Sequence, residues 1–114
     1  MTPVNLTIEQ GTTYRRSLKF YSNSDLSTRF DLTGFVLKAQ ARDSWGSPLR
    51  IEIGLDVTDA ENGEVDLVVE PEQTVSLNPA VYYWDLLLVS LSGVVTKYAK
   101  GSIQILPTQT KINA

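Results

Sequence analysis

The chain has 114 residues, with 10 Lys and Arg against 13 Asp and Glu, and neither His nor Cys. That length fits one domain, and a 42% hydrophobic fraction is enough for a core, which excludes wholesale disorder. Without His or Cys the commonest general base, the thiol nucleophile and the usual zinc ligands are missing, and a net charge of −3 argues against nucleic acid as the main partner.

The start, from Met1 to Thr7, has no basic segment followed by an apolar one, so no signal peptide is expected. The longest aliphatic run, Leu86 to Val89, is far too short to span a membrane, so neither membrane nor nucleic acid is an expected partner. Synthesis and folding in a cytoplasm are expected. Val4, Leu6 and Ile8 alternate with Asn5 and Thr7, which predicts a first strand ending at Gly11. Tyr14, Leu18 and Phe20 alternate with Arg15, Ser17 and Lys19 in a second strand, and residues 22–28 form a Ser-rich loop. Phe35, Leu37, Ala39 and Ala41 mark a third strand, followed by a turn at 43–48. Ile51, Ile53, Leu55 and Val57 mark a fourth.

Asn62-Gly63 predicts a type I′ hairpin turn, since both residues tolerate positive φ. The fifth strand then points Val65, Leu67 and Val69 inward, with Glu64, Asp66 and Glu70 in water. Pro71 ends it and opens a short helical turn through Thr74, and Asn78-Pro79 makes another break. Val81 to Val89 is the strongest strand. Ser92-Gly93 turns it into a last strand over 94–105, with Gly101 as a bulge or a close backbone approach. Pro107 leaves an extended tail over 107–114. Seven short strands predict an all-β fold: a single immunoglobulin-like antiparallel β-sandwich over residues 1–114, with a small barrel as the alternative.

Strand 81–89 is apolar on both faces, whereas a strand with one wet face alternates. The face with Val81, Tyr83, Leu87 and Val89 is covered either by a loop of the same chain or by a neighbouring subunit. Tyr83 is also placed for a tyrosine corner. Asp85, on that face, requires a partner, and Lys97 or Lys100 on the next strand is the candidate. Trp45 either folds back on the core or stands exposed to stack on a sugar ring or anchor an interface. The candidate interface is therefore Val81, Tyr83, Leu87, Val89 and Trp45. Asp56, Asp59, Glu61 and Glu64 surround the Asn-Gly turn, but their spacing is not that of an EF-hand loop, and they read as a polar hairpin tip. Residues 51–96 carry nine acidic and no basic side chains, against seven basic and four acidic over 1–50 and three basic over 97–114. That middle segment is either a solvated acidic face or a surface for a basic neighbour, including another copy. No phosphate loop or dinucleotide fingerprint is present, and no catalytic group finds a second placed group beside it.

Several stretches in order carry a resemblance. Asp31-Leu32-Thr33-Gly34 leads into the alternating strand 35–42. Then come Pro71-Glu72-Gln73-Thr74, Leu77, the aromatic strand 81–88, Gly93, the stretch from Gly101 to Pro107, and Thr110. Over about residues 3–108 this series resembles small bacteriophage virion proteins with an immunoglobulin-like fold. It is similar to the N-terminal domains of phage baseplate upper proteins and to tail-fibre-associated proteins. Ala80 stands where that pattern usually has Gly. The resemblance implies no catalysis and no cofactor, and assembly in many copies with other virion proteins; no metal-ligating residue is singled out. The motifs do not set a place in the virion; the baseplate or tail-fibre attachment region is the expected one. A head decoration or head–tail connector protein is the alternative, and a carbohydrate-binding β-sandwich module is an alternative of a different class.

Overall fold

Period-two alternation becomes strand wherever it is strong. In a computed structural model describing residues 3–22 and 27–110, the chain forms β1 (Leu6–Glu9), β2 (Tyr14–Lys19), β3 (Val36–Arg42), β4 (Leu49–Asp59), β5 (Glu64–Val69), the helical turn α1 (Pro71–Thr74), β6 (Val81–Val89) and β7 (Val95–Leu106). The fold is all-β, with seven strands among the described residues, as the sequence predicts. Part of the Ser-rich loop, residues 23–26, and the last four residues of the tail lie outside the described residues.

The strands form one continuous sheet in the order β1-β7-β6-β3-β4-β5-β2. It becomes two layers because β4 belongs to both. Ile51 and Ile53 pair with β3, whereas Gly54 to Asp59 pair with β5. The two end strands, β1 and β2, are not paired with each other, so the sheet folds over without closing into a barrel; Arg16 Nη1 reaches the Asn5 carbonyl across the gap at 3.4 Å. One pairing departs from the antiparallel expectation: β1 runs parallel to β7, Leu6 opposite Ile103 and Ile8 opposite Ile105. A parallel neighbour requires a long crossover, and here that crossover is nearly the whole chain. The core between the layers takes Leu6 and Ile8 from β1, Ile51 and Ile53 from β4, Val65, Leu67 and Val69 from β5, Trp84, Leu86 and Leu88 from β6, and Ile103 and Ile105 from β7, all buried.

The motif residues have local physical reasons. The Thr33 amide donates to Asp31 Oδ1 at 2.9 Å, Leu32 is buried, and Gly34 supplies the φ of +82° needed at the third position of the turn that Phe35 closes onto the Leu32 carbonyl. Thr74 is fully buried, and its hydroxyl accepts the Gly11 amide at 2.8 Å; the Gln10 side chain donates to the Leu77 carbonyl at 2.6 Å. α1 thus fastens the β1–β2 turn. Gly101 proves to be a close backbone approach: a Cβ there would lie 1.8 Å from the Val4 carbonyl oxygen, which accepts the Trp84 indole N–H at 3.0 Å. The bulge on β7 lies at Tyr98 instead, because Leu86 faces Ala99 while Leu87 faces Lys97. The extra residue is used. Tyr98 stacks on Phe20 with centroids 4.3 Å apart, and its hydroxyl meets both the amide and the carbonyl of Tyr21.

Two local expectations are corrected. The β4–β5 connection is a four-residue loop over 60–63, not a two-residue type I′ turn: Gly63 donates to the Ala60 carbonyl at 3.2 Å, and Asp59 accepts from the amide and side chain of Asn62. Gly63 takes a φ of +64°, and a Cβ there would clash with the Phe30 carbonyl. The tyrosine corner belongs to Tyr82, not Tyr83. The Tyr82 hydroxyl donates to the Asn78 carbonyl four residues upstream at 2.8 Å, whereas Tyr83 is 56% exposed. The strand turns its Asp85 face outward because a carboxylate is costly to bury, and that places Tyr82 inside.

Candidate functional site

The outer face of β3, β6 and β7 carries the residues singled out by sequence. Cross-strand register sets them in rows. Val36, Val89 and Val95 lie side by side; next come Lys38, Leu87 and Lys97; then Gln40, Asp85 and Lys100; then Arg42, Tyr83 and Ser102. No loop of the described chain covers this face: Val81 and Tyr83 are exposed, while Leu87 and Val89 are half-buried among their neighbours. Asp85 finds the expected partner in Lys97, at 3.5 Å, but both side chains remain about half in water. An exposed pair of this kind contributes little stability. It does divide the face into two chemically different ends.

One end is apolar. Val36, Val94 and Val95 are 64%, 61% and 58% exposed, and Leu91 at the hairpin tip is 90% exposed. The tip is fixed, since the Ser90 amide donates to the Val94 carbonyl, the Val94 amide donates to the Ser90 side-chain oxygen, and the Gly93 amide donates to the Ser90 carbonyl. Leu91 rests against Gly34, where a Cβ would come within 2.9 Å of its side chain. Sequence reading missed these residues, although the Val94-Val95 pair directly after a turn is an available signal.

The other end is a groove of about 610 Å³ whose lining includes Trp45 and Tyr83 together with Asn5, Gln40, Arg42, Asp85, Lys97, Lys100, Gly101 and Ser102. Trp45 is 95% exposed and does not fold back on the core. It sits second in a turn over 44–47, with Gly46 third at φ of +80° and Ser47 bonded through its amide and hydroxyl to the Ser44 carbonyl. Arg42 ties that turn to the sheet, donating to the Ser47 carbonyl at 2.8 Å and to Gln40 Oε1 at 3.1 Å. Arg50 grips the Asp43 carboxylate with two nitrogens at the base of the loop. Leaving an indole in water forgoes on the order of 4 kcal/mol of burial at about 25 cal/mol per Å². The loop is braced so that this exposure persists.

The acidic segment meets its own chain. Arg15 on β2 bridges Asp56 at 2.6 Å and Asp66 at 2.9 Å, and Arg29 lies 3.7 Å from Glu64. The Ser17 hydroxyl, followed by Arg15, holds the Asp66 carboxyl below the ordinary carboxylate range although burial opposes it. With Asp59 spent on Asn62, the hairpin tip is a polar turn, and no group of three acidic side chains placed to hold a metal ion exists among the described residues. Burial raises the Tyr82 hydroxyl pKa above its ordinary value.

The sequence candidates therefore separate. Trp45 and Tyr83 come together in the groove, Leu87 and Val89 lead to the apolar end, and Val81 lies beyond Tyr83 at the start of the strand. No family model matches the chain, and a search of curated proteins found no match.

Proposed function

We propose that this chain is a non-enzymatic structural protein of a bacteriophage virion, in the baseplate or tail-fibre attachment region, which acts by docking onto other virion proteins in many copies of a symmetric assembly. The observation that carries this reading is the uncovered apolar end of the sheet, where exposed Val36 and Val95 flank Val89 and exposed Leu91 and Val94 lie on the adjoining hairpin. Contiguous apolar patches are unusual on monomers and mark contact surfaces. The ordered series from Asp31 to Pro107 supports the phage assignment. The docking needs no cofactor, nucleic acid or membrane. Immunogold labelling of purified particles tests it. Label at the distal tail is expected; label on the head or neck moves the protein to decoration or connection. Absence of both label and peptides from purified particles overturns the reading.

The exposure of Trp45 favours a second reading for the opposite end of the same face, the holding of a carbohydrate.

A further inference from the structure

The two ends of strand β6 are separate surfaces, and the groove end has a chemistry of its own. We propose that the groove between Trp45 and Tyr83 binds an acidic saccharide, a pyranose unit carrying a carboxylate. This rests on the carbohydrate reading and is independent of assembly.

Three observations carry it. First, the groove presents two aromatic side chains to solvent, Trp45 on a turn locked by Gly46 and Arg42, and Tyr83 on a central strand. Such rings receive the apolar face of a sugar, and a preset platform loses little freedom on binding. Second, the rings share the groove with polar side chains set in adjacent rows by strand register: the Gln40 amide, which also bonds Glu52 and Arg42, the Asp85 carboxylate, and Ser102, whose hydroxyl donates to Asn5 Oδ1 and leaves its oxygen to accept from a sugar hydroxyl. A volume of about 610 Å³ is that of a small-ligand site. Third, the groove is electropositive on a chain of net charge −3. Arg42, Lys97 and Lys100 face one carboxylate, Asp85, which Lys97 already pairs. Lys100 has no carboxylate partner among the described residues, so it remains for an anionic group on the ligand.

The lining strands also disfavour a peptide. β3, β6 and β7 are each paired on both sides, so no backbone edge is open for an added strand. Recognition there works through side chains.

The test uses the full-length chain, biotinylated and tetramerised on streptavidin so that avidity reveals weak sites, on a printed array of uronate-containing, sialate-containing and neutral glycans. Trp45→Ala and Lys100→Glu are read beside it, with melting curves to confirm folding; both side chains are exposed, so both variants are expected to fold. Binding to acidic glycans that falls at least tenfold in both variants is the expected result. Binding to neutral glycans alone, or acidic binding insensitive to Lys100→Glu, overturns the acidic assignment and leaves the carbohydrate reading standing. Absence of binding to any glycan, or binding unchanged in Trp45→Ala, overturns both. If Trp45→Ala instead abolishes self-association or particle incorporation with no glycan bound, the groove is a protein contact and the proposal fails.

Discussion

The Tyr82 hydroxyl reaches the Asn78 carbonyl, while its neighbour Tyr83 makes no such bond and stands half in water. Tyr82→Phe removes one hydrogen bond and leaves a carbonyl short of a donor, so urea denaturation is expected to show a loss of about 1 kcal/mol. Tyr83→Ser is expected to change stability by less than ~0.5 kcal/mol, as exposed substitutions do. The reverse order would return the corner to Tyr83. Asp66 gives a pH signature. Its folded pKa is depressed by Ser17 and Arg15, so its contribution is complete above the ordinary carboxylate range and is lost as pH falls through the folded value. Asp31, held low by Thr33, acts in the same direction. Ser17→Ala is expected to raise the Asp66 pKa in a carboxyl carbon NMR titration and to reduce the acid-side drop in melting temperature. An unchanged titration would contradict the assignment.

Strands were the most legible elements, because a side-chain period of two is a direct consequence of the pleat. The 81–89 strand and the 71–74 helical turn match their sequence expectations residue for residue. What sequence left open were matters of register and non-local pairing. Alternation divides 81–89 into two apolar faces, and Asp85 marks the one with Val81, Tyr83, Leu87 and Val89 as the outer, because a carboxylate is costly to bury. The Tyr98 bulge follows from its stacking on Phe20, a residue distant in sequence. The site was half legible for the same reason. Trp45 and Tyr83 stood out as aromatics, but Gln40, Arg42 and Lys100 join them only through the pairing of β3, β6 and β7. The contact between α1 and the first turn is testable at this scale. Thr74→Val keeps the volume but leaves the Gly11 amide without its acceptor, and is expected to cost about 1–2 kcal/mol. Hydrogen exchange at Gly11 should accelerate more than at core amides of β6; uniform acceleration would contradict a local fastening.

The whole molecule is a sheet folded over one core, with its acidic middle segment met by its own arginines and its two unusual surfaces at opposite ends of one outer face. The extended length of β6 from Tyr83 to Val89 separates the groove from the apolar end by roughly 20 Å at about 3.3 Å per residue. That separation lets one domain dock through its hairpin end while the groove stays open. The central claim is that the hairpin end is the assembly contact. Its most direct test is co-expression of wild-type chain with a Leu91→Asp, Val94→Asp double variant during particle formation. Both sites are exposed, so the variant is expected to melt close to wild type. The ratio of the two chains in purified particles is then read by mass spectrometry. The account predicts at least a tenfold excess of wild type over the variant. Equal incorporation of a folded variant would contradict it.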